Sequence, residues 1–304
     1  MRTDYVKLLA IACAGLLAAG CGGSDDPDGG GLRVALTDAP VDTATAVQIQ
    51  FSGIEIKPAG GEAFRVGDFD PPKTIDLLTL QDGTSEVLVD VDLAAGQYSW
   101  IRLMVNTSRD QDSPSRIVFP DDDYPLWIPS GNESGLKLVT GFIVPIGGVA
   151  DFTIDFDLRK SIHKPGAQDG IYYLRPALRL VDNALAGFIT GKVDASLLTF
   201  DGGDETCAVY VFAGAGTAPD DIDGDEGDPL TTATVHLSDS DGLYHYRAAF
   251  LPEGPYTLAL TCDATADDPG VDDDETVVGF PEIRDAEVTA GEHTVVDFEP
   301  DPTG

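Results

Sequence analysis

The strongest constraint on the fold is a two-residue alternation of apolar and polar side chains that recurs along most of the chain. In residues 151–158, apolar side chains occupy the even positions, and aspartate or threonine occupies the odd ones. Residues 87–93 and 101–105 follow a similar pattern. Successive side chains of a strand point to opposite faces, so this period indicates strands with one buried and one solvated face. Helical periodicity is nearly absent, and the sequence therefore predicts an all-β fold.

Turn residues divide these alternating segments and set the predicted architecture. Short strands separated by Gly, Pro and Asp favour two antiparallel β-sandwich domains in tandem. Residues 182–184 interrupt the pattern, which places the domains at 32–183 and 187–300. The apolar positions change parity at Ser52 and Gly53, which predicts a β-bulge. Gly147 and Gly148, between two apolar segments, predict a tight hairpin.

The N-terminal residues have the pattern of an export signal. Arg2 and Lys7 precede an apolar run at 8–19, which small residues and Cys21 follow. With cysteine at the cleavage site, the pattern resembles a bacterial lipobox, in which the thiol receives a diacylglycerol. The alternatives are an ordinary secretory signal and an N-terminal membrane helix, but the apolar run is short for a bilayer core of about 30 Å.

We therefore expect a signal peptide at 1–20, lipidation of Cys21 and a flexible tether at 21–31. Gly22 stands where an aspartate commonly retains lipoproteins at the inner membrane. The expected location is accordingly the bacterial cell envelope, at the outer membrane, with the lipid as the membrane contact.

The charge of the chain excludes one large class of partners. The sequence has 53 acidic and 18 basic side chains, a net charge of −35. Such a surface repels phosphate backbones, so we expect no nucleic-acid binding. Dense carboxylates also keep a surface hydrated in salty surroundings, where salt screens their repulsion within about 8–10 Å.

Two cysteines remain after the signal peptide and the lipidated residue are set aside. Cys207 lies on the apolar face of the predicted strand 207–212, and Cys262 lies on that of the strand 256–262. Both thiols therefore point into one core, and an exported protein favours a disulfide between them. A metal or redox role has little support, because the sequence has no CxxC motif.

Two acidic loops of the second domain are candidates for calcium binding. The first contains Asp221, Asp223, Asp225 and Asp228, and the second contains Asp267, Asp268, Asp272, Asp273, Asp274 and Glu275. Alternating carboxylates in a glycine-containing loop supply the oxygen ligands that Ca²⁺ needs. The spacing does not fit an EF-hand, which requires glycine and glutamate at fixed positions. The alternative is a pair of solvated loops with no cofactor.

The remaining candidate residues do not assemble into a catalytic set. The four histidines are separated in sequence, and no HExxH or GxSxG motif is present, so we predict that the protein is not an enzyme. Trp127 is either a strand anchor or an exposed platform for a sugar ring. The sequence thus leaves open a surface module that binds a carbohydrate or protein ligand.

Separated motifs of each domain occur in a recognisable order. Those of the first domain are 36–40 (LTDAP), 47–56, 95–98 (AGQY), 101–103 (IRL), 136–139 (LKLV), 155–158 (DFDL) and 174–176 (LRP). Together they resemble the bacterial lipoprotein "domain of unknown function 4382", which implies an extracytoplasmic β-rich module without known activity. The motifs 191–193 (GKV), 250–256 (FLPEGPY), 288–291 (VTAG) and 296–298 (VDF) resemble carboxypeptidase regulatory-like domains, which implies a non-catalytic, prealbumin-like or immunoglobulin-like sandwich.

Overall fold

The computed structural model of the protein describes residues 29–39, 44–164, 170–198, 206–272 and 277–300. Its first domain consists of strands β1 (Gly29–Ala39), β2 (Ala46–Pro58), β3 (Phe64–Asp76), β4 (Glu86–Ala94), β5 (Gly96–Asn106), β6 (Arg116–Val118), β7 (Asp123–Trp127), β8 (Leu136–Leu138), β9 (Phe142–Val144), β10 (Val149–Asp157), β11 (Ile162–His163), β12 (Tyr172–Leu174) and β13 (Ala177–Asp182). Two single-turn α-helices, α1 (Gly131–Ser134) and α2 (Leu158–Ser161), interrupt them, and short 3₁₀-helices follow strands at Leu77–Leu80, Asn183–Leu185 and Ala195–Leu197. The second domain consists of β14 (Ala186–Val193), β15 (Ala208–Ala213), β16 (Thr231–Thr234), β17 (His236–Leu237), β18 (Tyr244–Pro252), β19 (Gly254–Thr261), β20 (Glu282–Val288) and β21 (His293–Val295).

Each domain encloses its core between two sheets. In the first domain, a sheet of order β13-β10-β1-β4 faces a nine-stranded sheet built around β11-β12-β7-β6-β2-β5-β8, with β3 on β2 and β9 on β5. In the second domain, the sheets are β17-β18-β14-β21 and β16-β15-β19-β20. Most neighbours are antiparallel, whereas β1–β10, β7–β12 and β14–β21 are parallel. The predicted all-β sandwich fold is confirmed.

Aspartate side chains mark the points where strands give way to short helices. Asp76, Asp157, Asp182 and Asp194 each have an extended backbone, and each side chain accepts a hydrogen bond from a backbone N–H two or three residues later. This is the capping geometry that aspartate favours at helix starts. Some of the many aspartates therefore have a local structural role at the ends of strands.

The two predicted turn features have different outcomes. The bulge is present, because the pairing of β2 with both β3 and β5 shifts register between Phe51 and Gly53. The hairpin at Gly147 and Gly148 is wrong. Strand β9 pairs with β5, whereas β10 pairs with β1 and β13, so this turn carries the chain from one sheet to the other.

The predicted tether is too long by three residues, because β1 begins at Gly29. Gly29 pairs with Ala94, and a Cβ atom on Gly30 would lie 2.4 Å from the carbonyl oxygen of Pro145. A Cβ on Gly31 would lie 3.2 Å from Val149 Cγ2. These glycines allow close approach between strands, a role that composition alone does not separate from that of a linker.

Two surfaces that the sequence assigns to solvent are buried instead. Thr153, Asp155 and Asp157, the predicted wet face of β10, are each less than 5% exposed. The outer face of the sheet containing β15 is covered as well, because Ile222 from the first acidic loop and Ala264 pack with Tyr210 there. The acidic loops are thus partly packed against the domain. No described helix is long and apolar enough to cross a membrane.

Candidate functional site

The contact between the domains is built around a basic segment that follows β10. Arg159 of α2 is only 4% exposed, and its Nη1 donates a hydrogen bond to the carbonyl oxygen of Ala264 at 2.8 Å. Its Nε donates to Thr232 Oγ1 at 3.3 Å, and its guanidinium carbon lies 5.8 Å from the centre of the Tyr210 ring. One first-domain side chain is therefore held by three second-domain residues.

Two lysines extend this contact to the acidic loops. Lys160 Nζ donates to the carbonyl oxygen of Pro229 and lies 3.6 Å from Asp228 Oδ2, in a pair whose side chains are mostly buried. Lys164 Nζ lies 3.8 Å from Asp268 Oδ2. We call the contacts of Arg159, Lys160 and Lys164 with the second domain the interdomain joint. The acidic loops supply its negative charge.

A second polar contact lies beside the joint. Arg179 Nε donates to Asp155 Oδ2 at 3.0 Å, and Arg179 Nη1 donates to the carbonyl oxygen of Phe250 at 3.4 Å. Asp155 also borders a cavity of about 20 Å³ that Asp38 and Arg247 help to line. A space of this size accommodates about one water molecule.

Burial perturbs the carboxyl groups around this cavity. Neither oxygen of Asp38 meets hydrogen-bond geometry within the described residues. Burial, followed by repulsion from Asp155 and Asp157, raises the pKa of Asp38 well above its ordinary value, although Gln81 and the Leu158 N–H oppose the rise. Burial likewise raises the pKa of Asp157 to about 6, against the attraction of Lys160. Both shifts arise chiefly because desolvation penalises the charged form of a carboxyl group.

A third buried carboxyl fastens the second acidic loop. Asp267 Oδ2 accepts a hydrogen bond from the Tyr210 hydroxyl at 2.6 Å, and Oδ1 accepts one from the Ile222 N–H at 3.2 Å. Burial raises the pKa of Asp267 to about 6 despite these bonds. Asp267 therefore links the two loops to the sheet on which they pack, next to the interdomain joint.

The predicted cysteine pair forms a disulfide. Cys207 directly precedes β15 and Cys262 directly follows β19, and the adjacent residues Ala208 and Thr261 are paired in the sheet. The bridge thus joins neighbouring antiparallel strands. Cys21, the predicted lipidation site, lies outside the described residues.

The predicted calcium ligands mainly organise their own loop. Asp223 Oδ1 accepts a bond from the Asp225 N–H, and Asp225 Oδ1 accepts one from the Gly227 N–H. Asp228 Oδ1 accepts from the Asp223 N–H, and Asp221 is buried. Across the described ranges, no three acidic, histidine or cysteine side chains converge as a metal site. Calcium binding stays a prediction.

Trp127 lies half-buried in a stack at the end of β7. The edge of the Tyr173 ring packs against it at 5.5 Å between centroids, and the Arg109 guanidinium lies 5.1 Å from its centre. Arg109 Nη2 also donates to the Tyr173 hydroxyl at 3.2 Å. One side of the indole is therefore packed, and its use as a ligand platform stays a prediction.

Two of the four histidines are neighbours on paired strands, and the other two lie apart from them. His236 is the register partner of His245, which lies 3.0 Å from Asp241, whereas His293 stacks on Phe188. Burial, followed by repulsion from Arg175, lowers the pKa of His163.

The interdomain joint is the feature that the sequence analysis did not predict. Arg159, Lys160 and Lys164 fall within six positions of a chain that has almost three acidic side chains for each basic one. This local cluster of basic residues could have indicated a contact with an acidic surface, because a buried positive charge needs a negative partner.

Three comparisons relate the chain to known proteins. Residues 29–176 match the family model "Domain of unknown function (DUF4382)", which confirms the resemblance of the first domain. No curated protein matches the chain.

The similar solved structures include the Bacillus anthracis TIE protein, at 11% identity, TM-score 0.19 and coverage of 90% of this chain and 34% of that one. They also include the minor pilin GBS52 of Streptococcus agalactiae, at 10% identity and TM-score 0.19, with coverage of 89% of this chain and 97% of that one. A third is BcpA, the major pilin subunit of Bacillus cereus, at 9% identity and TM-score 0.20, with coverage of 89% of this chain and 98% of that one. The chain thus spans about a third of the TIE protein. At these TM-scores the similarities support no inference about this chain. The family-model match applies to residues 29–176, just under half of the chain.

Proposed function

We propose that the protein is a non-catalytic, lipid-anchored structural protein of the bacterial cell envelope, in which two β-sandwiches act as one body. The observation that carries this proposal is the interdomain joint. Arg159 is buried across it and bonds to Ala264 and Thr232, so the domains meet as packed surfaces. The lipobox-like pattern that ends at Cys21 supports the envelope location, as does the resemblance of the first domain to a module of bacterial lipoproteins.

Thermal unfolding tests whether the domains form one body. We expect the wild type to unfold in a single cooperative transition. The Arg159→Ala variant leaves buried acceptors unpaired, which costs about 1–3 kcal/mol, so its domains should unfold separately or at a lower temperature. The Arg175→Ala variant, which removes an exposed arginine nearby, is the matched control. If Arg159→Ala unfolds like this control, the joint does not couple the domains.

Metabolic fatty-acid labelling tests the anchor. The wild type should incorporate labelled palmitate and fractionate with the outer membrane, because Gly22 follows Cys21. The Cys21→Ser variant should be unlabelled. An unlabelled wild type would refute the anchored part of the proposal.

Two alternative functions are each supported by a separate structural observation. The half-exposed stack of Trp127, Arg109 and Tyr173 favours a glycan- or protein-binding surface module. A polysaccharide should then quench the fluorescence of Trp127, and the Trp127→Phe variant should abolish the change. Trp100 is the internal reference, because it is buried in the first domain.

The acidic loop favours a calcium-stabilised structural element. Added Ca²⁺ should then raise the melting temperature, and combined Asp223→Ala and Asp225→Ala substitutions should remove the rise. An unchanged melting temperature in the wild type would end this alternative.

A further inference from the structure

One end of the first domain combines three turns that carry no charge. These turns are residues 58–61 (PAGG), 94–97 (AAGQ) and 145–148 (PIGG). Strand pairing brings them together, because Pro58 pairs with Tyr98, Gly96 pairs with Val144, and the N–H of Ala59 donates to the carbonyl oxygen of Gln97 at 2.8 Å. We call this surface the uncharged end.

The uncharged end also presents apolar side chains to the outside. Ile143 is 61% exposed, Ile146 is 70% exposed and Val149 is 58% exposed. Residues 136–149 contain one lysine and no carboxylate, in a chain with 53 acidic residues. A clustered apolar surface of this kind is typical of a site that contacts a partner or a membrane.

The chain enters the domain at this same end. The N–H of Gly147 donates to the carbonyl oxygen of Gly29 at 2.8 Å, and the N–H of Gly31 donates to that of Gly148 at 2.8 Å. Cys21 precedes Gly29 by eight residues, which reach at most about 28 Å when fully extended. A lipid on Cys21 would therefore keep Ile146 near the bilayer.

The interdomain joint lies toward the opposite end of β1, whereas the second domain begins at Ala186, near the middle of β1, because Asp182 pairs with Phe152 and Phe152 pairs with Val34. Ala39, the last residue of β1, pairs with Asp157, which caps the helix that carries Arg159. An eleven-residue strand is about 33 Å long, so the interdomain joint is well separated from the uncharged end.

The two domains also differ in net charge. Residues 32–183 have 22 acidic and 13 basic side chains, whereas residues 187–300 have 26 acidic and three basic ones. An anionic surface repels the second domain much more strongly than the first.

We propose that the uncharged end rests on the lipid bilayer, with Ile143, Ile146 and Val149 in the interfacial region and the acidic second domain projecting outward. This inference rests on the proposed lipid anchor. These apolar side chains, one on a turn and two in the adjoining strands β9 and β10, insert without burying a charge, and the three turns themselves carry no carboxylate. The anchor supplies most of the membrane affinity, and the uncharged end sets the orientation.

Fluorescence quenching by brominated lipid tests this orientation. The chain beginning at Cys21 is coupled through that thiol to a maleimide lipid in phosphatidylcholine vesicles that contain acyl-chain-brominated phosphatidylcholine. Coupling is specific because Cys207 and Cys262 are bridged. We expect the Ile146→Trp variant to show at least twofold quenching of its added fluorescence. The Val295→Trp variant, whose site in the second domain is 61% exposed, should show none. Equal quenching of the two variants would overturn the proposal.

A second pair of variants tests whether the apolar side chains are responsible. Ala59→Trp places the probe on a neighbouring turn of the uncharged end, and it should also be quenched. Adding Ile143→Ser and Ile146→Ser keeps the tether and the probe but removes the apolar side chains, and should abolish that quenching. Quenching that survives would mean that tethering alone brings the end to the bilayer. Because the lipid is attached chemically, these outcomes do not depend on the palmitate result, which tests the anchor itself.

Discussion

Replacement of Asp157 by asparagine should stabilise the protein at pH 8, and the gain should shrink as the pH falls toward 5. Asp157 Oδ1 accepts a hydrogen bond from the Lys160 backbone N–H at 3.1 Å, and an amide oxygen can accept the same bond. Its Oδ2 is buried without a hydrogen-bond partner among the described residues. The substitution therefore keeps the helix cap and removes a buried charge.

The magnitude follows from proton linkage. Burial raises the pKa of Asp157 from 3.8 to about 6. Because the folded pKa is higher than the unfolded one, the folded state binds the proton more tightly. The resulting stability is fully present below the unfolded pKa and is lost as the pH rises through about 6. Between pH 5 and pH 8 this loss amounts to about 1.4 kcal/mol.

Urea unfolding of the wild type and Asp157→Asn at pH 5, 6, 7 and 8 measures this difference. Asp194→Asn is the control with the opposite sign. Asp194 also caps a short helix, but hydrogen bonds from Ser196 lower its pKa, so its contribution is present at neutral pH and is lost on acidification. A difference between wild type and Asp157→Asn that is the same at every pH would refute the reasoning.

Three further predictions concern stability. Loss of the disulfide through Cys207→Ser and Cys262→Ser should cost about 4 kcal/mol of unfolding free energy in a urea titration, because the bridge closes a loop of 55 residues; an unchanged midpoint would contradict this. Gly30→Ala should cost about 1–3 kcal/mol in the same assay, because its Cβ would overlap the Pro145 carbonyl oxygen, and a neutral effect would argue against this packing. Ile222→Ala should cost about 2–4 kcal/mol and speed proteolysis of the first acidic loop, and wild-type cleavage rates would show that the loop is not held by this side chain.

Local patterns were sufficient for the strands, the bulge and the disulfide. Alternation in residues 151–158 reports a strand because side-chain direction depends only on the local backbone. The parity change at Gly53 reports the bulge for the same reason. Cys207 and Cys262 could be paired because both lie on apolar faces of predicted strands, in a chain whose N-terminal pattern indicates export.

Local patterns did not predict which polar surfaces are buried. The sequence determined which faces of β10 and of the acidic loops are polar, and only the tertiary structure decided that Asp155, Asp157 and Asp267 are buried. The glycines at 29–31 read as a linker until Pro145 and Val149 were placed beside them. Burial is a property of two surfaces that meet, and the residues of one surface do not specify which distant segment will cover it.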